Sequence, residues 1–156
     1  MGSRGHASFY KMTRINMVPV SELANQHLLA EWREMKMVPK ALARSLRTQS
    51  VDKVAKKIPS KFTLNTGHVL FFYDKGAYLH KRYAELTAEL VRRGFKINVN
   101  APLDPEGTMD AAPWNKDYEP TEEALAIIRQ RIAEKIAMKP EWYRFFDKPS
   151  DTETSI

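Results

Sequence analysis

Between Asp74 and Gly94 the apolar residues Leu79, Tyr83, Leu86 and Leu90 recur at i, i+4, i+7 and i+11, a spacing that a helix gathers onto one face. Asp74 is placed to cap the start, and Gly94 stands where a C′ glycine ends a helix. Arg92 and Arg93 fall in the last turn, where cations suit the helix dipole, and Glu89 and Arg93 form an i, i+4 pair. A second stripe, Leu125, Ile128, Ile132 and Ile136, follows Thr121 as N-cap with acidic Glu122 and Glu123 behind it, and Pro140 stops it. The stretch 98–120 carries Pro102, Pro105, Pro113 and Pro120 and reads as loop. An earlier helix starts at Ser21 as N-cap. Leu23, His27, Ala30 and Glu34 recur along one side of it, and Leu28, Trp32 and Met35 along another. Pro39 interrupts this helix, and a further helical piece runs from Lys40 to about Gln49. Phe62–Leu64 and Val69–Tyr73 are the strand candidates. The expected fold class is all-α: a compact single domain of three main helices with long loops.

Residues 1–11 (MGSRGHASFYK) are small, polar and aperiodic, and read as an N-terminal extension, either an upstream start or a cloning remnant. Residues 12–147 form the expected domain, and 148–156 (KPSDTETSI) a flexible polar tail. A length of 156 residues with 43% hydrophobic composition suits one core. No apolar run approaches the roughly 18–20 residues of a membrane span, and the start lacks the apolar stretch of a signal peptide. There is no cysteine, which excludes disulfides, a thiolate nucleophile and a zinc knuckle. The histidines His6, His27, His68 and His80 are scattered, so neither a metal nor another cofactor is expected. No Ser/His/Asp pattern and no phosphate-cradling glycine loop is present.

The net charge of +6 is concentrated. From Arg33 to Lys61 nine basic residues (Arg33, Lys36, Lys40, Arg44, Arg47, Lys53, Lys56, Lys57, Lys61) face only Glu34 and Asp52. Lys40, Arg44 and Arg47 share a helical face. Flexible cations along one surface are what phosphate contacts need, and a solvated face is the plainer alternative. The aromatic run Trp142-Tyr143-Arg144-Phe145-Phe146 reads either as a stacking element near DNA or as packing over the first helix. His68 reads as a satisfied structural group. Glu31 and Glu34, three apart, can share a face for acid/base work, but taken alone they read as solvent-exposed helix charges.

Several strings, in order, resemble the small viral pyrimidine-dimer DNA glycosylases: Met12-Thr13-Arg14-Ile15-Asn16, Val20-Ser-Glu-Leu-Ala24, Gln26-His27-Leu28, Ala30-Glu31-Trp32-Arg33-Glu34, Gly67-His68-Val69-Leu70-Phe71-Phe72-Tyr73-Asp74-Lys75, Glu134-Lys135-Ile136-Ala137 and Trp142-Tyr143. The resemblance spans about Met12 to Phe146. It implies a three-helix enzyme that removes damaged pyrimidines at ultraviolet-induced dimers in duplex DNA and then nicks the strand by β-elimination, without metal or organic cofactor. It implies a nucleophile in the α-amine of Thr13, exposed when Met12 is removed, and an essential carboxylate in Glu34. Arg14, Gln26, His27 and Arg33 match positions around the damaged nucleotide. Arg131 and Lys135 match phosphate-contacting positions, and Trp142 and Tyr143 close the match. Lys36, Lys40 and Arg44 join the expected DNA-binding set through the basic run. The family binds kinked DNA and flips a base opposite the lesion. The expected partner is damaged double-stranded DNA, bound by a monomer with no obligatory protein partner. Lys36 stands where some members carry an Arg and lacks its guanidinium fork; Phe145 and Phe146 replace tyrosines of some members.

An α-amine suits this chemistry. Its pKa of about 7.7–8.0 leaves roughly a tenth or more neutral near pH 7, whereas an ordinary Lys is almost wholly charged. As written, however, Thr13 is internal, and an amide nitrogen, delocalised into its carbonyl, forms no Schiff base. Activity then requires a start at Met12 with Met removal, proteolysis of the extension, or a substitute amine from the new terminus or a Lys. The runner-up is a non-catalytic damaged-DNA binder with a blocked amine; a third reading is a basic protein for RNA or another polyanion.

Overall fold

In a computed structural model the described residues are 14–145; the expected extension, Thr13, Phe146 and the tail lie outside them. The stripe Leu79, Tyr83, Leu86 and Leu90 is buried on the central helix, which we label α5 (Gly76–Arg92). It packs against α1 (Asn25–Glu34), whose Leu28 and Trp32 lie in the core together with Met35, just past its end. The Trp32 and Tyr83 rings stack at 6.0 Å, and Trp32 Nε1 donates to Thr87 Oγ1 at 2.9 Å. Three shorter helices follow α1: α2 (Met37–Leu46), α3 (Val51–Lys56) and α4 (Gly67–Phe71). After α5 a long loop, holding one 3₁₀ turn at Thr108–Asp110, leads to α6 (Glu122–Met138). No strand occurs among the described residues, so the architecture is all-α.

Two helix ends match expectation. Thr121 Oγ1 accepts the Ala124 N–H at 3.0 Å at the start of α6. Gly94 has φ +91° directly after α5, a conformation that favours glycine. The Glu89–Arg93 pair closes at 2.8 Å, and Ile128 anchors α6 in the core with Leu125 and Ile132 beside it.

Four expectations are corrected. Ser21 caps no α-helix: it lies in a 3₁₀ turn, Val20–Glu22, and α1 begins at Asn25 behind an extended, buried Leu23. Arg93 Nη2 reaches the Val20 carbonyl at 3.1 Å, holding that turn apart from the helix. Pro39 interrupts nothing. It sits in the first turn of α2, where its missing N–H leaves no helical partner unmet, so α2 starts at Met37 rather than Lys40 and ends at Leu46. Val69–Tyr73 is no strand, for it begins within α4. A five-residue apolar run carries no period of its own, and Asn65 decides it: its carbonyl accepts the His68 N–H at 2.9 Å and its side chain the Gly67 N–H at 3.0 Å. Phe62–Leu64 is likewise irregular. Asp74 does not cap α5. The Trp114 carbonyl accepts the Gly76 N–H at 2.7 Å and the Lys116 carbonyl that of Ala77 at 3.0 Å, so the long loop seals this helix start. Asp74 pairs with Lys75 at 2.9 Å instead.

Candidate active site

The segment 14–18 is anchored in the fold at several points. Ile15, Asn16, Met17 and Val18 are all buried. Ile15 N–H donates to His68 Nε2 at 2.9 Å. Asn16 Nδ2 donates to Glu31 Oε1 at 3.0 Å. Arg82 grips Glu31 with two bonds, 2.8 Å from Nε and 3.0 Å from Nη2, and its Nη1 reaches the Val18 carbonyl at 2.5 Å. Between these holds, Met17 has φ +63° under a 2.6 Å bond from Val18 N–H to the Asn16 carbonyl, a strained turn that the surrounding anchors maintain. Glu31 is thus no solvent-exposed charge: it is 1% exposed, because it lies on the face of α1 that meets α5. Arg82, which satisfies it, is absent from the site residues read in the sequence. It lies 51 residues away, and no spacing rule joins two such helices.

Beside this segment a cleft of about 250 Å³ opens between α1, α6 and the aromatic run. Of the expected residues it gathers Arg14, Gln26, His27, Glu34, Arg131, Lys135, Trp142 and Tyr143. Thr13 lies outside the described residues, joined to Arg14 on the cleft wall. The remaining cations go elsewhere. Arg33 is exposed next to Glu34 but does not line the cleft. The Lys36 ammonium lies 4.3 Å from the Trp32 ring centroid, a cation–π contact. Lys40 and Arg44 flank a second groove of about 210 Å³ with Arg47 and the loop Asp104–Thr108.

Burial pushes the Glu34 carboxyl above the usual carboxylate range, and Arg33 offsets this only in part. Arg33 does favour the ionised form, but the burial of the carboxyl outweighs it. His27 is pushed down by burial and then by Lys135 and Arg131, so it is neutral at pH 7. Its ring packs at 4.7 Å on Tyr143, and its Nδ1 is buried without a hydrogen-bond partner.

Of the two readings the sequence left open for the aromatic run, the structure shows the packing. It docks on the start of α1: Asn25 N–H donates to the Arg144 carbonyl at 2.6 Å, Gln26 Nε2 to the Trp142 carbonyl at 2.5 Å, and Arg144 N–H to Gln26 Oε1 at 3.1 Å. Gln26 therefore positions this run with both ends of its amide. Trp142 stays 55% exposed at the cleft edge, available for stacking.

Among the described residues one group places possible metal ligands close together, His80, Asp104 and Asp110, and none of them lines the cleft. Both Asp104 oxygens already accept backbone N–H groups, from Thr108 at 3.1 Å and Met109 at 2.7 Å.

A cationic cleft with a half-buried carboxyl and a poised aromatic edge suits a negatively charged polymer whose bases can leave the stack. A family model described as pyrimidine dimer DNA glycosylase matches residues 12–103, which include the anchored segment, α1 with Glu34, and α5 with Arg82. α6 and the aromatic run, which close the cleft, lie past the matched span. Since the match covers more than half of the chain, the chain belongs to the pyrimidine dimer DNA glycosylases, a family of DNA repair.

Proposed function

We propose that this glycosylase is also an abasic-site lyase, acting through an imine that the Thr13 α-amine forms once Thr13 is N-terminal, with Glu34 assisting. One observation supports this above the others: Arg14, the residue bonded to Thr13, lines the same cleft as the half-buried Glu34 carboxyl. The neutral amine attacks C1′ of the damaged nucleotide. The glycosidic C1′–N bond breaks and the base nitrogen takes a proton; the sugar ring then opens at C1′–O4′, O4′ takes a proton, and the amine nitrogen gives up one proton and keeps one in the resulting protonated imine. The imine draws electrons and acidifies the 2′ proton. Loss of that proton expels the 3′ phosphate, and water then releases the enzyme. Glu34 stabilises the developing sugar cation while ionised. Burial raises its carboxyl above the usual range, which makes its protonated form easier to reach for moving protons. Arg14, Arg131 and Lys135 hold phosphates, Trp142 and Tyr143 meet unstacked bases, and the protein works as a monomer on damaged duplex. Lys40 and Arg44 extend the grip along a second groove.

Borohydride trapping on an abasic-site duplex, with Met1-started and Thr13-started protein, tests this. A covalent adduct is expected from the Thr13-started form and none from the intact form, whose Thr13 nitrogen is an amide. Equal trapping by both forms sinks the assignment. The absence of an adduct from either form removes the amine reading and favours a non-catalytic damage binder, while the residues ahead of Thr13 motivate a blocked amine only in the intact chain.

A further inference from the structure

We infer that His68 is a positioning residue for this reaction: by holding the Ile15 amide it fixes the backbone on which Arg14 lines the cleft and to which the Thr13 α-amine of the active form is joined. The inference rests on the Thr13 reading above. His68 does not line the cleft, so its part is to place a neighbour rather than to touch the substrate.

The ring has one orientation and one tautomer. Its Nδ1 lies 2.9 Å from the Thr63 carbonyl, which only accepts, so Nδ1 carries the proton. Nε2 therefore presents its lone pair, and the Ile15 N–H donates to it at 2.9 Å. Phe62 and Phe72 pack edge-on against the ring at 5.3 and 5.4 Å, and His68 is 1% exposed, so rotation is blocked. Ile15 is itself fully buried, and without this acceptor its N–H would lose its partner away from water.

The hold from His68 comes earlier in the chain than those at Asn16 and Val18. Two residues span at most about 7 Å, so the amine of Thr13 stays within that reach of the held Ile15 amide. Attack at C1′ demands an approach of about 3–3.5 Å with aligned orbitals, and a misplacement of about 1 Å is enough to cost two orders of magnitude. The strained Met17 turn gives the segment somewhere to relax if the hold is released.

The test uses His68→Leu, which fills the space without an acceptor, and His68→Gln, which restores an acceptor and a donor near the ring nitrogens. Every contact described here lies within residues 14–145, so a chain begun at Thr13 keeps all of them. In the full chain labelled with ¹⁵N, a scalar coupling across the hydrogen bond between Ile15 N and His68 Nε2 is expected; its absence overturns the inference whatever the variants do. In Thr13-started protein, the single-turnover rate of borohydride trapping is expected to fall about 10²-fold in His68→Leu. His68→Gln is expected to regain most of it, while affinity for damaged duplex stays unchanged in both. Trapping by His68→Leu at the unmodified rate overturns the inference and leaves the amine reading intact. So does a folded His68→Gln that is as slow as His68→Leu, because a packing role alone would then suffice. An unmodified Thr13-started protein that forms no adduct removes the amine reading, and this inference with it.

Discussion

Glu31 and Glu34 sit three residues apart on α1, and their surroundings separate them. Glu31 is sealed under Arg82 and Asn16, whereas Glu34 lines the cleft, its carboxyl influenced among the described residues chiefly by burial and the flanking Arg33 charge. Removing Arg82 strands a buried carboxylate, so Arg82→Ala is expected to lose about 3–5 kcal/mol of stability, read from urea denaturation. Glu34→Gln leaves the fold alone. It is expected to bind damaged duplex normally while single-turnover strand cleavage falls about 10²–10⁴-fold, and full cleavage by this variant would reject the assigned role. His68 makes a prediction in pH. Burial holds its folded pKa at about 4, against 6.5 for an ordinary histidine, so the folded form resists protonation. Its contribution is complete above pH 6.5, declines as pH falls and is gone below about 4, a change of about 3 kcal/mol. Denaturation at a series of pH values should show that slope in the unmodified protein and a flatter one in His68→Gln. The catalytic candidates were legible in sequence as motif residues. Arg82 was not, because its partnership exists only where two helices meet.

At the scale of elements, helix ends explain most of what the sequence told correctly and what it hid. Thr121 and Gly94 act locally, through their own side chain or their own φ, so they could be read in place. Thr121→Ala is expected to lower stability by about 1 kcal/mol. The start of α5 is different: carbonyls some 38 residues later in the chain, from Trp114 and Lys116, seal it. That approach explains Gly76, where an added Cβ would lie 2.6 Å from the Met109 carbonyl oxygen and 2.8 Å from that of Trp114. Backbone cannot yield as a flexible side chain can, so Gly76→Ala is expected to cost about 1–3 kcal/mol, seen as a lower Tm. Pro39 and the run Val69–Tyr73 show the limits of local reading. A proline signal does not say whether it ends one helix or begins the next, and a five-residue apolar run fits strand and helix alike.

Over the whole molecule the expected DNA-binding cations divide. Arg14, Arg131 and Lys135 converge on the cleft from chain segments more than a hundred residues apart, while Lys40 and Arg44 serve the second groove and Lys36 is drawn onto Trp32. If Arg131 and Lys135 hold phosphates as proposed, replacing either with Ala lowers the slope of log K against log salt by about 1, uniformly across sequences. Titrations of damaged duplex at several salt concentrations measure this directly, and an unchanged slope removes the residue from the phosphate set.

The sequence by itself determined the two long helices α5 and α6, because an amphipathic period and a local end signal are properties of consecutive residues. It also determined the family, because the motifs stand in the right order along the chain. Tertiary structure alone decided the pairing of Glu31 with Arg82, the hold of His68 on Ile15, the docking of the aromatic run by Gln26, and the division of the cations between two grooves. Each of these depends on groups that meet only when helices pack, and burial, which sets their charge and strength, is not a property of any one stretch of sequence.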